Sequence, residues 1–148
     1  MTKVQANRLR KLGEFLVEHA AEMRGKFWMT DKWFSGDPRK LTLDAEPNCG
    51  TAGCAIGWCP VVFPRKWGFV KESPVWAHYW PVLRRLRFYR SPDFGSVIAS
   101  VEEFFGVEDE DASFLFAVDR EESDWYNTSP SRVGKRILRY LAEREEAA

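Results

Sequence analysis

The sequence predicts a mostly α fold, a single compact helical domain of about five helices with an irregular middle rich in tryptophan and proline. Three observations predict it. Apolar residues recur at three- and four-residue spacing near both ends of the chain. Gly and Ser-Pro stand where helices should stop and start. A length of 148 residues at 45% hydrophobic content supplies one core. The whole of 1–148 is assigned to that domain, with 143–148 expected as a frayed tail. No internal repeat or low-complexity tract divides it.

From the start, Thr2 to Met23 reads as a helix. Leu9, Leu12, Leu16 and Met23 form its stripe, with Arg8, Lys11, Glu14, Glu18 and Glu22 opposite and Gly25 as its stop. Residues 27–34 are too aromatic for an exposed linker and are expected to cross the core as a short helix or loop, before the turn chemistry of Ser35-Gly36-Asp37-Pro38. A further helix is expected to begin near Thr51. The middle, 63–92, sets Trp67, Trp76, Trp80, Phe88 and Tyr89 among four prolines. A short helix from Pro74 to Arg87 fits the rhythm of Val75, Tyr79, Val82, Leu83 and Leu86, although Pro81 would kink it. In the last third, Ser96 to Phe105 carries one apolar face and stops at Gly106. Four acids from Glu108 open the next helix, which runs through Val118, where negative charge suits the macrodipole. Ser129-Pro130 starts the last helix, with Val133, Ile137, Leu138 and Leu141 as its buried stripe.

Composition narrows function more than it names it. No apolar run approaches the ~20 residues of a membrane span, and Met1 to Met23 lacks the apolar centre of a signal peptide, so a cytoplasmic protein with no membrane partner is expected. Net charge is zero, yet residues 1–100 hold 16 Lys/Arg against 9 Asp/Glu, and residues 101–148 hold 6 against 13. That division either makes a dipolar surface or is neutralised internally on folding, the latter being the expectation for a compact domain.

The run Asn48 to Pro60 holds all three cysteines with Gly50, Gly53 and Gly57. A helix starting near Thr51 would offer free backbone N–H groups to an anion, and a thiol there would be acidified. The competing reading is close packing, with Gly53, Ala55 and Gly57 admitting a neighbouring backbone and Cys54 as a small hydrophobe. The ligand-site expectation names Cys49, Gly50, Thr51, Gly53, Cys54, Gly57 and Trp58. If the chain were an enzyme, Cys49 or Cys54 would be nucleophile and His78 base. A zinc site from Cys49, Cys54, Cys59 and His78 lacks the short Cys-x-x-Cys bite, so neither a metal nor a cofactor is expected. His19 sits near the polar side of the first helix, in a solvated role. Trp76, Trp80, Arg84, Arg85, Arg87 and Arg90 interleave cations and aromatics and are expected to contact a partner. Zero net charge and the acidic sequence that follows disfavour nucleic acid. The Phe104 to Val107 region has helix-turn-helix spacing, but four acids on the would-be recognition helix exclude DNA reading.

The segment Cys49-Gly50-Thr51-Ala52-Gly53-Cys54-Ala55-Ile56-Gly57 resembles the C-G-T-x-x-C-x-x-G motif of an uncharacterised group of small bacteriophage and actinobacterial proteins. Phe105-Gly106-Val107 with Ala112 and Leu115-Phe116, and Ser129-Pro130 with Val133, are similar to later patterns of that group. Gly53 and Trp58 stand where many of its members have alanine and a small residue or histidine. The resemblance implies a phage or phage-derived accessory protein in the host cytoplasm. The resulting expectation is a non-enzymatic protein that binds a host protein or a small anionic ligand, antagonising a host defence or regulatory system. The alternatives are the cysteine-dependent enzyme and a structural component of a virion or assembly held head to tail by its charge division.

Overall fold

A computed structural model describes residues 1–27, 33–46, 50–73, 78–86, 93–116 and 129–148. Among these it contains five α-helices and two small antiparallel sheets, so the chain is mostly helical but not wholly so.

Helix α1, Lys3–Glu18, begins at a capping box in which the Thr2 hydroxyl accepts from the Gln5 N–H and the Gln5 side chain accepts from the Thr2 N–H. It ends at His19, earlier than expected, and turns carry the chain on to Lys26. Leu9, Leu12 and Leu16 are fully buried, which the three- and four-residue spacing anticipated, and Met23 is fully buried in the turns beyond the helix. Each such side chain contributes about 1.5–3 kcal/mol relative to exposure.

Helix α5, Pro130–Ala147, lies antiparallel along α1, with Arg10 paired to Glu145 near one end. Residues 143–147, expected to fray, are helical. The two helices meet at glycines. A Cβ on Gly134 would stand 2.5 Å from the Gly13 carbonyl oxygen, and one on Gly13 would stand 3.2 Å from that of Gly134. Helix α3, Phe94–Phe105, starts at an Asp93/Ser96 capping box and ends at Gly106, whose φ of 65° needs no Cβ strain. Its last carbonyls are capped from α1: Gln5 Nε2 donates to Glu103 O at 3.1 Å and an Arg8 guanidinium N–H to Phe104 O at 3.2 Å. Helix α4, Asp109–Phe116, follows with Asp109, Glu110 and Asp111 in its first turn.

The middle of the chain departs from expectation. Residues 79–83 are a strand, not a helix. Strand β3, Trp67–Lys71, pairs antiparallel with β4, Tyr79–Leu83, in the register Trp67↔Leu83 and Phe69↔Pro81. The other sheet pairs β1, Phe34–Ser35, with β2, Ala52–Gly53. The flanking bonds Arg84 N–H to Lys66 O and Glu72 N–H to His78 O place Pro81 at a position whose missing N–H faces away from β3. The next outward N–H, that of Leu83, donates to the buried Ser100 hydroxyl on α3 at 3.0 Å. Trp67, fully buried, packs edge-on against Phe104, with ring centroids 5.7 Å apart. Of the rest of the expected Pro74–Arg87 helix, Arg84–Leu86 form a single 3-10 turn, while 74–77 and Arg87 lie outside the described residues, as do Trp28, Phe88, Tyr89, Val118 and Trp125.

Candidate functional site

From Thr51 to Cys59 the cysteine-glycine motif is core. Thr51 is 2% exposed, Cys54 1%, and Ala55, Ile56, Trp58 and Cys59 are fully buried. No helix begins near Thr51; β2, Ala52–Gly53, occupies that place and pairs with β1, Phe34–Ser35, while Phe27 bridges Gly53 from the other side. Two of the expected anion-binding amides are therefore spent inside the chain. Gly53 N–H donates to Lys26 O and Cys54 N–H to Trp33 O, both at 3.0 Å. Helix α2, Cys59–Val62, comes later and is a single turn, too short to carry a macrodipole site. The Trp58 N–H returns to Cys54 O at 3.0 Å.

Gly57 and Gly50 are required for different reasons. A Cβ on Gly57 would lie 2.1 Å from the Trp33 carbonyl oxygen and 2.9 Å from the Gly53 Cα. Gly50 is exposed with open space around it, and its φ of 83° is what calls for glycine. The Thr51 hydroxyl accepts from the Asp37 N–H at 3.0 Å and holds the Gly36 turn, whose φ is 105°.

The thiols fit this role. Burial pushes the Cys54 pKa up to about 11 and raises that of Cys59 well above its ordinary value, the opposite of what a nucleophile needs. Cys49 lies outside the described residues. His78, half-buried, stacks edge-on against half-buried Trp80 at 4.6 Å. His19 stacks on Phe15 at 4.7 Å, with Nδ1 3.4 Å from a Glu22 carboxylate oxygen. Among the described residues no three His, Cys, Asp or Glu side chains converge on a metal position. No helix among them is long and apolar enough to cross a membrane.

The Trp/Arg segment is partly engaged as well. Arg84 Nε donates to Pro64 O at 2.9 Å and to Trp67 O at 3.1 Å, and Arg85 pairs with Glu103. Trp76, Arg87 and Arg90 lie outside the described residues. Arg85–Glu103 and Arg10–Glu145 each join the basic part of the chain to the acidic part, so some of the charge division is neutralised internally.

A different surface is open. Along α5, Arg132, Lys135, Arg136 and Arg139 line a groove of about 500 Å³ with Tyr140 and with Phe114 of α4. Phe114 is 62% exposed, the Arg136 guanidinium lies 5.8 Å from its ring centroid, and an Arg136 N–H donates to its carbonyl at 3.2 Å. Sequence reasoning missed this site because the acidic total of 101–148 hid four of its six cations on one helix face. The signal was present as the spacing 132, 135, 136 and 139, opposite Val133, Ile137 and Leu141. Another groove, of about 580 Å³, lies where the start of α1 meets the end of α5; Met1, Ala6, Leu141 and Ala147 line it together with Lys3, Arg10, Arg144 and Glu145, of which Arg10 pairs with Glu145 and Arg144 with Asp111. Neither groove touches the cysteine motif.

No protein-family model matches the chain, and neither a curated protein nor a solved structure matches it.

Proposed function

We propose that the chain is a non-enzymatic binding protein that takes an anionic partner, a host protein or a small anionic ligand, in the α4/α5 groove. The observation that carries this reading is the placement of exposed Lys135 and Arg139 beside a phenyl ring, Phe114, that is 62% exposed. Cations gathered around exposed apolar surface are what an anionic partner with an apolar part requires. The accessory role implied by the phage-type resemblance, antagonism of a host defence or regulatory system, would be exercised through this surface rather than through Cys49 to Trp58. Burial of Cys54 and Cys59, which raises both thiol pKa values, supports a binding role over a cysteine-dependent enzyme that uses Cys54.

The test is a titration of the intact, isotope-labelled chain with inorganic pyrophosphate and, separately, with polyglutamate, followed by amide chemical shifts. Shifts centred on Phe114, Lys135 and Arg139 are expected with at least one of the two probes. Shifts centred on Thr51 to Trp58, or none at the groove with either probe, would overturn the reading.

A further inference from the structure

We infer that the α4/α5 groove receives a short acidic peptide segment of a partner protein, with an apolar side chain beside its carboxylates; this rests on the binding reading above.

The first ground is spacing. Lys135 and Arg139 stand one turn apart on α5, ~6 Å along the axis, and among the described residues neither has an ion-pair partner. Alternate side chains of an extended peptide project on one side ~6.6–7 Å apart. Two carboxylates on such residues therefore reach both cations. Arg132 and Arg136 already take part in contacts of the chain itself and shape the site.

The second ground is the ring. Phe114 is fixed through its carbonyl by Arg136 and leaves most of its surface to solvent, at the edge of the same groove. An exposed phenyl beside cations suits an apolar anchor flanked by acids better than it suits a bare inorganic anion.

The third ground is what surrounds the groove. Glu143 is part of its lining, Asp111 accepts from the Tyr140 hydroxyl at 2.7 Å, and Asp109 and Glu110 open α4. A phosphate polymer long enough to bind by charge would run onto these carboxylates. A short peptide whose two carboxylates stop at Lys135 and Arg139 ends one helical turn before Glu143. The chain's zero net charge likewise removes the long-range attraction on which nucleic-acid binding relies.

The experiment is selection from a random peptide library on the intact chain, with the Lys135→Glu/Arg139→Glu double variant and Phe114→Ala as controls and circular dichroism to confirm folding. Fluorescein-labelled oligothymidylate is titrated in parallel. The expected result is enrichment of peptides carrying paired Asp or Glu with a neighbouring apolar residue, binding about tenfold or more weaker to either variant. No enrichment of acidic peptides, or equal binding to the variants, overturns the inference. Oligothymidylate bound by the wild type and lost by the double variant, without acidic peptides, removes the peptide assignment but leaves the anionic groove standing. Failure of pyrophosphate, polyglutamate, peptide and oligonucleotide alike to depend on Lys135 and Arg139 removes both.

Discussion

The indole N–H of Trp58 donates to the backbone carbonyl of Lys26 at 3.2 Å, with both residues buried. The same carbonyl accepts from Gly53 N–H, and the Lys26 ammonium donates to the carbonyls of Thr42, Leu43 and Ala45 at 2.8, 2.9 and 2.7 Å. One residue thus ties the cysteine motif, held at Gly53 and Trp58, to the loop after the Pro38–Lys40 turn. Three carbonyl dipoles replace the water that a buried ammonium would otherwise lack.

Lys26→Met keeps the aliphatic stem but strips three part-buried carbonyls of their donor. We expect a loss of about 3–5 kcal/mol, because hydrogen bonds to a charged group carry more than neutral ones. Urea unfolding measures it, and hydrogen exchange should show the amides of 42–45 losing protection. A midpoint unchanged from wild type would show that the cage contributes nothing.

Gly134→Ala tests the α1/α5 contact by its sign. In an exposed helix the change stabilises by up to ~1 kcal/mol. Here the new methyl meets the Gly13 carbonyl oxygen at 2.5 Å, so a destabilisation of about 1–3 kcal/mol is expected. Any rise in melting temperature would mean that the helices do not approach so closely.

Two glycines of the motif should behave unequally. Gly57→Ala puts a Cβ 2.1 Å from the Trp33 carbonyl oxygen, and a cost of about 3 kcal/mol or more is expected. Gly50→Ala meets open space and faces only the left-handed backbone, at about 1–2 kcal/mol. Paired denaturant curves decide it, and equal losses would contradict the packing described.

Stability should fall at high pH. The Cys54 pKa is raised in the folded chain from 9.0 to about 11 by burial, so the native state holds that proton more tightly than the unfolded state. Its contribution is complete below the unfolded pKa and disappears as pH rises through the folded one, a change of about 2–3 kcal/mol. Tyr140, raised to about 12 by burial and by Asp111, adds to the upper end of the same limb. Replacing Cys54 with alanine should make the fall between pH 9.0 and about 11 shallower, leaving the part due to Cys59, whose thiol burial raises likewise, as read by unfolding at stepped pH. Mass-mapped iodoacetamide labelling near neutral pH should leave Cys54 and Cys59 unmodified in the native chain.

The helical rhythm of α1, α3 and α5, the Gly106 stop and the Ser129-Pro130 start were legible because each depends on neighbours within a turn or so. The β3/β4 hairpin was not. Tyr79, Val82, Leu83 and Leu86 keep a helical interval by coincidence, and partial cover on both faces of the hairpin erases the alternation that marks a strand. The motif was recognised as a place where backbones meet, but its helix was placed too early because pairing with Phe27 and Phe34, remote in sequence, holds 52–53 extended.

The sequence by itself determined the helical class, the helix signals at its ends and most of the buried apolar set, since spacing and capping are local properties. Only the tertiary structure decided that Gly13 faces Gly134, that Lys26 is caged by carbonyls, and that Phe114 stands exposed beside Lys135 and Arg139. Those facts depend on which distant segments meet. A residue's type and spacing constrain the face it presents but not the partner that its face finds.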